Sequence, residues 1–269
     1  MKINQAVDQQ GILSPATWEL EPGVHGLIGP NGSGKTTLLR AIAGLTPLRS
    51  GSRDVGPAAM SMAGSDISFA GARLRRHFSI AALVHPDFDH ALAEKTLDLL
   101  SLTPRNPTHK LSVGERQLAA VATTLASRAP LMLLDEPFTG LDVTAREGLR
   151  TALLGLIQGS PLLTIIITSH RAEDLAGLVE NVTPINQGHL GSTYSLDDLR
   201  ARFPILSGPT TEVRQATGSL PVLHEQTLGN LTRLMLIGTP EHVPRGVTVE
   251  YPEDTAAINA LVYQERNRT

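Results

Sequence analysis

The chain contains no cysteine, which excludes disulfides and thiolate-held metal ions and fits a reducing compartment. Long hydrophobic runs are also missing. The longest, Leu162 to Ile167 with Thr164 inside it, is far too short to span a bilayer. Met1-Lys2-Ile3-Asn4-Gln5 lacks the apolar run of a secretory leader. Neither sign of charge dominates, with 23 Lys and Arg against 26 Asp and Glu, and a formal net charge of −3 gives no electrostatic reason to expect nucleic acid as a partner. Internal repeats and low-complexity tracts are absent. The expectation is a cytoplasmic protein whose membrane role, if it has one, depends on a separate partner chain. Its 269 residues, 41% of them apolar, are enough for one well-buried core plus a small accessory module.

What is present is organised around Gly29-Pro30-Asn31-Gly32-Ser33-Gly34-Lys35-Thr36, which fits the phosphate-loop pattern at every specified position. The apolar run Val24 to Ile28 precedes it, and Leu38, Leu39, Ile42 and Leu45 follow at helical spacing. Strand, glycine loop and helix is the context this pattern needs. Its glycines let the loop curl with its N–H groups inward, and the helix adds a positive N-terminal end at the same place. Lys35 is then expected at the β- and γ-phosphates, with the Thr36 hydroxyl as a Mg²⁺ ligand and Gly29 through Thr37 contacting the nucleotide.

Two further strand ends carry polar chemistry. Leu131 to Leu134 is fully apolar and closes on Asp135 and Glu136. At the C-terminal edge of a parallel strand, Asp135 faces the same crevice as the phosphate loop and is expected to complete the Mg²⁺ shell. Glu136 is expected to polarise the water that attacks the γ-phosphate. Leu162 to Thr168, rich in β-branched residues, reads as a second buried strand, and it ends at Ser169 and His170. Alone, a histidine is more often structural than catalytic; at this strand end His170 lies where a γ-phosphate would be.

The rest reads as follows. Residues 1–28 are expected as β-structure, with strand candidates at Ile12-Leu13 and Trp18 to Glu21 and a turn at Glu21-Pro22-Gly23; Trp18 is a core candidate. Residues 46–65, rich in Gly, Pro and Ser, read as loop with one short strand. A helical region spans about 70–128, with a helix at His90 to Leu102 and a solvated basic face of Arg73, Arg75, Arg76 and His77. Residues 143–158 are helical. After about Phe203 the texture changes to strands at Leu234 to Ile237 and Val247 to Glu250, then a helix at Asp254 to Arg266, with no catalytic motif. Apolar strands alternating with helices imply an α/β fold with a mostly parallel sheet covered on both faces.

Leu111-Ser112-Val113-Gly114-Glu115 resembles the signature, usually written L-S-G-G-Q, of the nucleotide-binding subunits of ATP-binding cassette (ABC) transporters. Gly140-Leu141-Asp142 resembles their D-loop, and Thr168-Ser169-His170 their switch histidine. The resemblance implies an ABC-type ATP-binding domain over residues 1–203, its helical subdomain at about 66–128, and a small α+β appendage over 204–269. It also implies an ATPase using ATP and Mg²⁺. The subunit would work as a homodimer or heterodimer at the inner face of the cell membrane, driving a separately encoded permease. Ser112 and the Gly114 N–H would cap the γ-phosphate held by the facing chain, and Asp142 would lie at the dimer seam.

Three departures stand out. No glutamine occurs from Gly11 to Arg116, so Gly64 stands where the family's metal-binding, permease-contacting glutamine would be. No aromatic lies near Val7 to stack on adenine. Val113 and Glu115 replace the signature's first glycine and its glutamine. A degenerate glutamine position with a short β-containing tail is most like the subunits of drug, peptide or bacteriocin exporters. The alternative is a weakly active or inactive ATP-dependent regulatory subunit. A role in DNA repair or chromosome organisation is disfavoured by the lack of heptad insertions and of basic runs.

Overall fold

The computed structural model describes residues 1–55, 60–64, 68–160 and 162–267. Its N-terminal elements are β1 (Lys2–Asp8), β2 (Ala16–Glu19), β3 (Gly23–Ile28), α1 (Lys35–Ala43), β4 (Leu48–Asp54) and β5 (Met60–Ala63). β1 lies between β2 and β4 in an antiparallel sheet. Ile12-Leu13 is not a strand. The buried Asp8 carboxylate accepts from the Gln10 and Leu13 backbone N–H groups at 3.0 and 2.7 Å, which fixes a turn there instead. The stretch read as loop with one strand holds two, β4 and β5, with residues 56–59 and Ser65 outside the described residues. β4 is nearly all exposed and polar, so it carries no hydrophobic alternation to reveal it. Trp18 is buried as expected, its indole N–H donating to Thr193 Oγ1 at 3.2 Å.

The helical region contains α2 (Leu74–Val84), α3 (His90–Leu97) and α4 (Val113–Ala126). They share a small apolar cluster built on Leu74, Phe78, Leu97, Ala119 and Ala122. The basic face divides. Arg75 and Arg76 are exposed, while His77 turns inward, accepts from the Ala70 N–H at 3.1 Å, and has its pKa lowered by burial.

The sheet that positions the site is built next, from β6 (Leu131–Asp135), α5 (Val143–Gln158), β7 (Thr164–Ser169), α6 (Ala172–Leu175), β8 (Asn181–Asn186), β9 (His189–Leu190), β10 (Tyr194–Ser195) and α7 (Leu196–Arg202). Its strand order is β10-β8-β3-β7-β6-β5, with β9 on β8. The pairs among β8, β3, β7, β6 and β5 are parallel, and those of β8 with β9 and β10 antiparallel. β6 and β7 are buried at every residue, as strands covered on both faces must be. Ile28 pairs with Ser169, and Asp135 with Thr168. The phosphate loop, the Asp135 strand end and His170 therefore emerge side by side at the C-terminal edge.

The chain closes with β11 (Ile205–Pro209), α8 (Thr210–Thr217), β12 (Val222–Leu228), β13 (Leu231–Leu236), β14 (Thr248–Glu250) and α9 (Asp254–Arg266). β12-β13-β11-β14 form a separate antiparallel sheet whose cluster with α8 includes Leu206, Val213, Leu234 and Val247. α9 does not stay with that sheet. Ala257, Ile258, Ala260 and Leu261 enter the main core beside Leu175, Leu199 and Phe203.

Candidate functional site

The phosphate loop leaves β3 at Gly29, whose N–H donates to Ser169 O at 3.3 Å. A Cβ on Gly29 would lie 2.1 Å from the Ile185 carbonyl oxygen, so only glycine fits against β8. Gly34 has φ 103° and leads into α1 with no side-chain cap and no acid in the first turn. The first N–H groups of α1 are thus left for an anion. Lys35 is 6% exposed and donates to Gly29 O at 2.8 Å and Pro30 O at 3.1 Å. Its Nζ also lies 3.3 Å from Glu136 Oε1.

Around this loop is a cavity of about 430 Å³, lined by Asn31 through Thr37 and, across from them, by Ile12, Val113, Gln117, Glu136, Thr139 and His170. Thr36 Oγ1 donates to Asp135 Oδ2 at 2.7 Å, and Thr168 Oγ1 donates to Asp135 Oδ1 at 2.7 Å. Thr168 Oγ1 in turn accepts from the Glu136 N–H at 2.9 Å. Glu136 has φ 50°, an uncommon left-handed conformation for a residue with a side chain. Its carboxylate is shared, one oxygen facing Lys35 and the other hydrogen-bonded to His170 Nδ1 at 2.9 Å. Lys35, Thr36, Asp135, Glu136 and His170 are therefore in one hydrogen-bonded group.

The hydroxyl of Thr36 and the carboxylate of Asp135 are adjacent hard oxygens beside the phosphate loop, a donor pair suited to Mg²⁺. Among the described residues no cluster of three or more His, Cys, Asp or Glu could hold a metal. That suits an ion which takes few protein ligands and relies on phosphate oxygens and water.

The remaining sequence candidates lie around this group. Ser112 is the N-cap of α4 in a reciprocal pair: its hydroxyl accepts from the Glu115 N–H at 3.3 Å, and its own N–H donates to Glu115 Oε2 at 2.6 Å. Glu115, a departure from the signature pattern, thus fixes the start of α4. A Cβ on Gly114 would lie 2.7 Å from Gly140 O, so these two glycines bring the backbones before α4 and α5 together. Asp142 is exposed and caps α5, accepting from the Ala145 N–H at 2.8 Å. Gly64 is buried, one residue past the pairing of Ala63 with Leu134, and so stands level with Asp135 without offering a side chain.

Lining residues that escaped the sequence reading include Ile12 and Gln117. Val7 is half-buried in β1, paired with Ser50, whereas Ile12, 40% exposed, reaches the cavity. Gly188 bonds its segment to the loop: its N–H donates to Ser33 O at 2.8 Å and its carbonyl accepts from the Ser14 N–H at 3.0 Å. Gln117 is the other, buried beneath Asp135 and Glu136. Both contacts join segments far apart in the chain, so no local pattern signals them.

Residues 13–139 match the model of the ABC transporter family. The chain is 24% identical over 228 residues to the ABC transporter ATP-binding protein YtrB of Bacillus subtilis, covering 75% of this chain and 73% of that one. It is 35% identical over 186 residues to the Fe(3+) ions import ATP-binding protein FbpC of Pseudomonas fluorescens, covering 61% of this chain but only 51% of the relative. A solved structure of the ATP-binding subunit of an ABC transporter superposes with a TM-score of 0.63 at 21% identity, over 74% of this chain and 91% of that one, a likeness of fold. The fold is thus that of an ABC ATPase, and the chain carries an ABC transporter nucleotide-binding domain, homologous to the ATP-binding subunits of that family.

Proposed function

We propose that the chain binds and hydrolyses ATP and so powers a separately encoded membrane permease, through head-to-tail pairing with a second such subunit. The observation that carries this reading is the shared Glu136 carboxylate, held between Lys35 and His170 above the phosphate loop. Thr36 and Asp135 would hold Mg²⁺, which when bound neutralises charge on the phosphates. Lys35 leaves its carbonyl partners for the β- and γ-phosphates, which frees one Glu136 oxygen. That oxygen takes a proton from water as the water oxygen bonds to the γ-phosphorus. The bond from the γ-phosphorus to the bridging oxygen breaks, ADP leaves with that oxygen and its electron pair, and the proton passes on to solvent. His170 keeps the other Glu136 oxygen in place. In the paired state Ser112 and the Gly114 N–H of one subunit cap the γ-phosphate on the other, with Asp142 at the seam. Hydrolysis then removes the bridge and the pair opens.

Among the described residues no helix is long and apolar enough to cross a membrane; the separate permease is proposed because the relatives, such as YtrB and FbpC, are named as ATP-binding proteins. Its place at the inner face of the cell membrane follows from that partner. The exporter reading rests on Gly64 and on the small second sheet, whereas FbpC, among the relatives, is named for import. The test is to follow phosphate release from Mg-ATP and the oligomeric state in the same preparation. Phosphate should be released, and a dimer should appear with ATP and decay as ATP is consumed. A chain that binds no ATP in calorimetry would sink the reading.

Ile12 bears on the nucleotide base. Gly188, which lies against the Ile12 backbone and bonds to Ser33 O, ties it to the phosphate loop, and we take the exposed Ile12 side chain as the surface on which the base rests. Ile12→Tyr should tighten ATP binding about fivefold, the value of about 1 kcal/mol for an added aromatic contact. Binding of inorganic triphosphate, measured by the same calorimetry, should not change.

A further inference from the structure

We infer that Gln117 is a positioning residue: it holds the backbone at Asp135 and Glu136 so that the Glu136 carboxylate is presented to the attacking water. The inference rests on the hydrolytic reading above. Gln117 lies on α4, five residues after Ser112, and is 3% exposed. Its Nε2 donates to two consecutive carbonyls, Asp135 O at 2.7 Å and Glu136 O at 3.3 Å. These belong to the two peptides on either side of Glu136, the residue whose φ of 50° departs from the extended strand before it. A residue held in a sparsely populated conformation persists only where its surroundings over-determine it. Here the determinants are Gln117 and the Thr139 N–H, which donates to Glu136 O at 3.1 Å, on one side and Thr168 Oγ1, which takes the Glu136 N–H, on the other.

A second observation separates positioning from mere support. Gln117 Oε1 is buried and has no hydrogen-bond partner among the described residues. An amide buried with its oxygen unpaired burdens the fold, and an apolar side chain of the same length would be free of that burden. The unpaired oxygen is a burden that only the two carbonyl contacts offset, so those contacts are what a glutamine supplies here. The geometry also links two places the mechanism uses. Ser112, at the N-cap of α4, belongs to the cap over the facing subunit's γ-phosphate, and Gln117, one turn further on, touches the base of this subunit's own site.

The test is Gln117→Met, which conserves length and volume. The thermal midpoint should fall by no more than about 4 °C, since only the two carbonyl contacts are lost, and the ATP dissociation constant should stay within about twofold of the parent. Turnover should drop at least about tenfold, because small displacements of a catalytic group reduce rate far more than affinity. In the Glu136→Gln background the same change should leave residual turnover unaltered, since its effect passes through Glu136. Unchanged turnover in Gln117→Met, or an equal loss with and without Glu136, would overturn the inference. So would a fall in stability and ATP affinity that matched the loss of rate. A parent that binds ATP without releasing phosphate would instead count against the hydrolytic reading, before Gln117 is reached.

Discussion

Glu136→Gln is expected to cut ATP turnover at least about a hundredfold, the low end of general-base effects, with ATP binding preserved. The replacement keeps the shape of the side chain and an acceptor for His170, but removes the negative charge and most of the basicity. The buried Lys35 ammonium loses its anionic neighbour at 3.3 Å, and a bound phosphate restores one. With hydrolysis blocked, the γ-phosphate goes on bridging Lys35 of one chain and Ser112 of the other. The variant should therefore accumulate as an ATP-bound dimer in size-exclusion chromatography, while the parent returns to monomer as ATP is spent. A variant that hydrolyses ATP as fast as its parent would move the general-base role elsewhere, and His170 would be the next residue to replace.

Lys35→Ala should abolish tight Mg-ATP binding. The ammonium is held by the carbonyls of Gly29 and Pro30 and by Glu136, poised within the loop rather than extended into solvent. Charge-assisted hydrogen bonds are worth about 1.5–3 kcal/mol each, so losing the contacts to two phosphate groups removes about 3–6 kcal/mol of binding free energy. That is at least about a hundredfold in affinity. The fold should survive, because the bonds that tie the loop to its neighbours, Gly29 N–H to Ser169 O and Gly188 N–H to Ser33 O, do not involve the Lys35 side chain. Calorimetry reads the affinity and a thermal scan the fold; an unchanged dissociation constant would mean the loop does not hold the phosphates.

These residues were legible in the sequence because each is announced locally. The phosphate loop is contiguous, and Asp135, Glu136 and His170 each close an apolar strand. β6, α5 and α9 fell close to where the pattern put them for the same reason. What remained hidden depends on distant contacts. Ile12 reads as the middle of a strand until the Asp8 carboxylate closes a turn around it. β4 shows no alternation because its partner β1, not a core, holds it in place. Gln117 looks like one more polar residue on a helix, and only the meeting of α4 with the end of β6 puts its amide under Glu136. The course of α9 was hidden too: its sequence marks a helix but not the surface it covers.

That course has a topological consequence. The chain leaves the ATPase core after Phe203 and re-enters it at Asp254, and Arg200 Nη1 meets Asp254 Oδ1 at 2.8 Å across the gap. The second sheet and α8 are therefore an excursion from a continuous scaffold, with their exit and return pinned together, and not a trailing end. A segment anchored in this way can be lengthened, shortened or exchanged during evolution at little loop-closure penalty, because the residues that bring its ends together belong to the host.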